Sequence, residues 1–160
     1  MARRTFAVLL TCVIVATVGC DRITKQAAIS RLAGSPTRSF LDDTLRLEYT
    51  ENPGAFLSLG ENLSPAVRGA LFTFGTAFLL IGITAAAARF RWNRARVFGV
   101  ALLVAGGGSN WFDRVMRGSV TDFLNVGVGP LRTGVFNVAD VAILAGAALI
   151  AAYTSADNRR

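Results

Sequence analysis

Two aspartates carry most of the chemistry open to this chain. Asp122 lies in "GSVTDFLNV" and Asp140 follows one connection later in "FNVAD". Two carboxylates brought together cannot both ionise easily, so one keeps a proton and the pair can run acid and base chemistry on a bound water. The ionised member would deprotonate that water, while the protonated member polarises a carbonyl and then donates to the leaving amine. Such a pair lets a protein hydrolyse a peptide bond without histidine, and this chain has none. A plainer reading stands beside it. Asn137 as N-cap with Asp140 three positions on matches a capping box at a helix start, and Asp122 by itself is a loop acid.

The other polar residues are individually modest signals. In "GGGSNWFDR", Asn110, Asp113 and Arg114 read as an internal polar cluster; Asp113 and Arg114 are neighbours that do not share a helix face, so each needs a partner elsewhere. Gly106, Gly107 and Gly108 point to close helix packing rather than to a phosphate cradle. Asp21 and Lys25, four apart, are most simply a helical ion pair. Lys25 is also the only lysine beside 16 arginines, which makes a serine-lysine hydrolase worth naming; against it, no serine sits in a recognisable nucleophile context, Ser58 and Ser109 being the remaining candidates. Cys12 and Cys20 would lie about 12 Å apart on one helix, too far for a disulfide. Without histidine or a cysteine cluster, no metal and no cofactor is expected.

The elements that must position these groups are apolar. The chain of 160 residues is 52% hydrophobic, its mean hydropathy is +0.47, and the apolar residues arrive in blocks, which points to a membrane. The pattern predicts an all-α integral membrane protein: a four-transmembrane-helix bundle in a single domain over 1–160, with helices at about 5–22, 66–89, 97–115 and 136–156. The first and third blocks are uncharged for only about 16 residues, roughly 24 Å of helix against a hydrocarbon core of about 30 Å, so their polar ends are drawn toward the lipid. Asp140 falls inside the fourth block, and ionisable residues at such depth are functional candidates.

Between the first two helices, over about 35–62, the alternation in Thr44–Tyr49 predicts a strand and Asn52-Pro53-Gly54 a turn. The second outer connection, about 116–135, is Gly-rich and reads as a loop on the same face. The compact basic turn "RFRWNRAR" and the "MARR" start place both termini in the cytoplasm and the β element outside. The net charge of +7 forms no basic face with interleaved aromatics, so nucleic-acid binding is not expected.

Taken in order, "DRITK", "NPGAF", "GGGSNWFDR", "VTDF" and "FNVAD" resemble the motif series of the lipoprotein signal peptidase family (signal peptidase II, peptidase family A8), across nearly the whole chain. The resemblance implies an aspartic endopeptidase of the bacterial inner membrane, with its active site near the extracytoplasmic face. It would remove signal peptides from diacylglyceryl-modified prolipoproteins by cutting on the N-terminal side of the lipidated cysteine. It implies Asp122 and Asp140 as the catalytic pair, and Asn52, Gly54, Asn110, Arg114 and Asn137 as substrate-binding or site-supporting residues. Asp21, Lys25, Gly106 and Asp113 fall at structural or lipid-facing positions. The implied partners are diacylglyceryl-prolipoprotein substrates and membrane lipids, with the enzyme acting as a monomer. Two departures stand out: the second motif is one alanine short, so that Phe56 follows a single Ala55, and Thr121 replaces the common valine before the catalytic aspartate.

Two other classes compete with the peptidase. A small transporter or assembly subunit would use Asp140 as a proton-relay acid. The stretch "TVGCD" also resembles a lipobox, which would make the chain a lipoprotein modified at Cys20. A cut there would discard the first helix, so the stretch is read as an uncleaved membrane helix.

Overall fold

The computed structural model describes residues 3–54, 63–90 and 92–157. Phe56 and Ser58 lie outside the described residues, as does Ala55, so the shortened end of the second motif is not described beyond Gly54. Helix α1 runs from Arg3 to Leu32, α2 from Pro65 to Arg89, α3 from Arg94 to Arg117 and α4 from Val138 to Asp157. Strands β1 (Arg38–Phe40) and β2 (Leu45–Asn52) lie between α1 and α2; β3 (Val120–Val128) and β4 (Leu131–Arg132) lie between α3 and α4. The strands form one antiparallel sheet in the order β1-β2-β3-β4.

By length and composition α1 and α2 suffice to cross a membrane, and α4 carries a shorter apolar run, Val138–Thr154. Their outward faces carry exposed Val8, Leu9 and Val15 on α1, Phe74 and Phe78 on α2, and Leu144 on α4. Faces of this kind suit lipid rather than water.

Helix α1 continues ten residues past the end expected near residue 22. Apolarity ends at Cys20, but helical spacing does not: Asp21, Lys25, Ala28 and Leu32 recur every three to four residues and are the buried side of the extension. Ala28 and Leu32 pack with Phe123 of β3, and Leu47, Tyr49, Leu124 and Val138 close around them. The sheet thus rests on the extended end of α1.

The second outer connection is likewise not a loop. Its "VTDFLNVGV" forms β3, with Val120, Thr121, Asp122 and Phe123 all buried. Strand β2 pairs with it so that Thr50 faces Asp122 and Asn52 faces Val120, with an irregularity between Leu47 and Thr50. A further bridge joins Leu124 to Phe136, closed by Leu124 N to Phe136 O and Phe136 N to Leu124 O, each 2.8 Å. That bridge delivers the start of α4 to the side of β3.

Helix α3 is the centre of the bundle, since α1, α2 and α4 all pack on it. Its seam with α4 is built from small residues, Gly99 against Gly146 and Gly106 against Ala139. At Gly106 the backbones are so close that a Cβ would meet the Ala139 carbonyl oxygen at 2.4 Å. The packing role expected for the glycine run holds at Gly106 and at Gly107, which abuts Leu80, whereas Gly108 faces open space.

A Gly106→Ala variant must push backbone against backbone. It is expected to lose about 1–3 kcal/mol of stability, read as a lower melting temperature in detergent, whereas Gly108→Ala leaves the melting temperature near the parent's.

Candidate active site

Asp122 comes from β3, Asn52 from the end of β2, Asn110 and Arg114 from successive turns of α3, and Asn137 and Asp140 from the start of α4. Asn52, Asn110, Arg114, Asp122 and Asp140 line one small cleft of about 10 Å³, together with Val120 and Val135. This is about the room one water needs. The two aspartates singled out in the sequence are therefore brought together, although 18 positions separate them.

Three asparagine amides surround the carboxylates, and each has its direction fixed. The Asn52 Oδ1 accepts from Gly54 N at 3.0 Å, turning Nδ2 onto Asp122 Oδ2 at 2.9 Å. The Asn137 Oδ1 accepts from Asp140 N at 3.0 Å, turning Nδ2 onto Asp122 Oδ1 at 2.6 Å. The Asn110 Oδ1 accepts from Lys25 Nζ at 2.7 Å, turning Nδ2 onto Asp140 Oδ1 at 2.8 Å. A backbone N–H or an ammonium can only donate, so none of these amides can reverse without losing a bond. Each presents its N–H to the acids.

The capping box is real as well. Asn137 N donates to Asp140 Oδ2 at 3.1 Å while Asp140 N donates to Asn137 Oδ1, the reciprocal pair expected at a helix start. The plain and the chemical readings of "NVAD" describe the same residues: the cap holds Asp140 in place, and Asp140 still lines the cleft.

Burial pushes the Asp122 carboxyl up to about 6; hydrogen bonds from Asn52 and Asn137 work against the rise, and the neighbouring Asp140 adds to it. Arg114 stands beside both acids. Its Nη2 donates to the Gly54 carbonyl at 2.8 Å, which ties the Asn52-Pro53-Gly54 turn to α3.

Asp21, Lys25 and Asp113 form the layer behind. Lys25 is 2% exposed; its Nζ donates to Asp113 at 2.8 Å and Asn110 at 2.7 Å and forms an ion pair with Asp21 at 2.8 Å. These residues sit inside the protein, and so the lipid-facing option for them is set aside. The Asp21–Lys25 ion pair read from the spacing is present, and Asp113 and Arg114 do find separate partners.

Sequence reasoning missed Arg22 and Arg117, which both bind Asp113 at 2.7 Å. Arg117 stands four residues after Asp113, a spacing that could have found it; Arg22 carries no such signal. Ser109 Oγ donates to Asp21 at 2.6 Å and accepts from Arg22, so neither it nor the fully engaged Lys25 is set up as a nucleophile and base. Among the described residues no group of three or more His, Cys, Asp or Glu converges into a metal cage. Cys12 and Cys20 are free and exposed on α1.

Beside the cleft a groove of about 440 Å³ runs between α2, α3 and α4. Phe72, Leu79, Leu80 and Ile143 make its walls apolar, and Asn110, Arg114 and Asp140 stand at its polar end.

The fold is that of a membrane enzyme. Two solved bacterial membrane enzyme structures superimpose with a TM-score of 0.78 each, one at 24% identity over 95% of this chain and 92% of that one, the other at 23% over 91% and 92%. The chain belongs to the signal peptidase II family: the family model described as signal peptidase (SPase) II matches residues 13–155. Among similar proteins, the lipoprotein signal peptidase of Teredinibacter turnerae is 35% identical over 81% of this chain and 77% of its own length. That of Solibacter usitatus is 33% identical over 81% and 80%, and that of Chlorobium phaeobacteroides 30% over 84% and 83%. The protein is a membrane-bound protease.

The electrostatics of the cleft give a direct test. Replacing Asp140 with Asn removes a like charge beside Asp122, so the Asp122 pKa is expected to fall below about 6 while burial keeps it above the ordinary 3.8. Infrared titration of the carboxyl band in parent and variant measures the difference. An unchanged value would mean that the two carboxylates do not interact.

Proposed function

We propose that the protein is an aspartic endopeptidase that removes signal peptides from diacylglyceryl-modified prolipoproteins, cutting on the N-terminal side of the lipidated cysteine with Asp122 and Asp140. The observation that carries this reading is the ring of three oriented amides around two aspartates in a cleft of one-water size. The name shared by the relatives, lipoprotein signal peptidase, supports the choice of substrate.

In the reaction a water between the acids loses a proton to the ionised carboxylate and attacks the scissile carbonyl carbon. The protonated carboxyl gives its proton to the carbonyl oxygen, forming a tetrahedral diol. Collapse of the diol breaks the C–N bond as a carboxyl proton passes to the leaving nitrogen. The signal peptide leaves with a new carboxyl end, and the lipidated cysteine with a free amine. Arg114 offers a further donor: its Nε is buried and has no hydrogen-bond partner among the described residues, which suits a substrate carbonyl.

The apolar groove between α2 and α4 would take the substrate's apolar segment, leading it to Asn110, Arg114 and Asp140. The sheet, with β2 and the Asn52-Pro53-Gly54 turn, would form the cradle over the scissile bond. All four helices would cross the bacterial inner membrane with both termini cytoplasmic, which sets the sheet and the acids at the extracytoplasmic face. The enzyme would work as a monomer.

Purified protein is expected to cleave a diacylglyceryl-modified prolipoprotein just before its cysteine. Asp122→Asn and Asp140→Asn should each lower the rate by at least about 10⁴-fold while remaining folded. Activity surviving in either variant would remove that aspartate from the chemistry.

A further inference from the structure

Lys25 reaches the acids without touching them. Its Nζ lies 2.7 Å from Asn110 Oδ1, and Asn110 Nδ2 lies 2.8 Å from Asp140 Oδ1. The same Asn110 oxygen also accepts from Asn137 Nδ2 at 3.3 Å, and that nitrogen donates to Asp122. A single cation therefore sets the direction of one amide and supports a second, and between them these amides contact both carboxylates.

Hydrogen-bond number does not separate the two acids, because each accepts two N–H donors. Asp122 accepts from Asn52 and Asn137, and Asp140 from Asn110 and the Asn137 backbone. Charge separates them. Asp140 stands in the first turn of α4, where the helix dipole favours a negative group. Asp122 stands on a strand with no such dipole and is nearly closed off, at 2% exposure.

Resting on the aspartic reading above, we propose that Lys25 is a positioning residue of the catalytic pair. By locking Asn110 so that its N–H faces Asp140, it makes Asp140 the ionised base that activates water and leaves the proton on Asp122 as the acid. The charged and polar groups that face this arrangement come from every surrounding element. They are Asp21, Arg22 and Lys25 itself on α1, Asn52 on β2, Asp113, Arg114 and Arg117 on α3, and Asn137 on α4. Lys25 is the one among them that meets both the acidic layer behind and an amide of the cleft.

The test compares Lys25→Met and Lys25→Gln with the parent in detergent, scoring folded protein by gel filtration and melting temperature, and kcat and KM per folded molecule from pH 4 to 9. Lys25→Met removes charge and donor; Lys25→Gln removes the charge and keeps an N–H. In Lys25→Met we expect kcat to fall by at least about tenfold with KM within about twofold, and the acid limb of the kcat profile to move to higher pH because the site has lost a positive charge. Lys25→Gln should show the same limb movement with a smaller loss of kcat, and it carries the test if Lys25→Met does not fold. A normal kcat per folded molecule, or an acid limb at the parent's position, would make Lys25 a structural residue only and overturn the proposal. Failure of the aspartic reading has a different signature, since Asp122→Asn or Asp140→Asn would then still cleave.

Discussion

Taking an ammonium out of water costs several kcal/mol unless its donors are met by well-placed partners. Lys25 is such a group. It donates to Asp113 and Asn110 on α3 and forms an ion pair with Asp21 on its own helix. Asp21 in turn accepts from the Ala139 backbone N–H at 3.0 Å, which carries the tie across to α4. Three helices therefore meet at one cation. The register between them is fixed by bonds that apolar packing alone would leave free to slide. Breaking one partner of so buried a group strands the others, so the cluster specifies one arrangement of the helices.

The sheet solves a different problem, that of bringing a strand residue against a helix start. Asp122 is placed by its pairing with β2, and Asn137 and Asp140 by the Leu124–Phe136 bridge on the same strand. Glu51 helps hold the strands together, accepting from Ser119 Oγ at 2.5 Å and Thr121 Oγ1 at 3.1 Å and bonding Tyr49. At the far end Asp43 gathers Ser39, Arg46 and Arg132, joining the β1–β2 turn to β4. The cleft thus lies between a sheet with its own polar clasps and a helix trio with its own ionic one.

Much of this was legible in the sequence because the signals were local. The capping box of Asn137 and Asp140, the i,i+4 pair of Asp21 and Lys25, and the strand and turn leading to Gly54 each lie within a few residues, where spacing determines contact. What was not legible depended on contacts between distant segments. The extension of α1 to Leu32 is visible only once the sheet is there to cover Ala28 and Leu32. Strand β3 looked like a glycine-bearing loop because its partner stands some 70 positions earlier, as in Thr50 opposite Asp122. Arg22 reaches Asp113 across 91 positions, and no pattern in "DRITK" predicts that.

Helix α2 packs on α3, and none of its residues is buried. One polar tie between them is the Trp111 indole N–H to the Thr73 carbonyl at 3.0 Å. In the membrane placement proposed above, the groove between α2 and α4 would be a slot in the lipid-facing wall of the protein rather than a channel from the water. Whatever occupies it is drawn from a two-dimensional reservoir, so saturation follows the molecule's mole fraction in the bilayer rather than its concentration in solution. A weakly held but strongly partitioning molecule would outcompete a tighter one that stays in the aqueous phase.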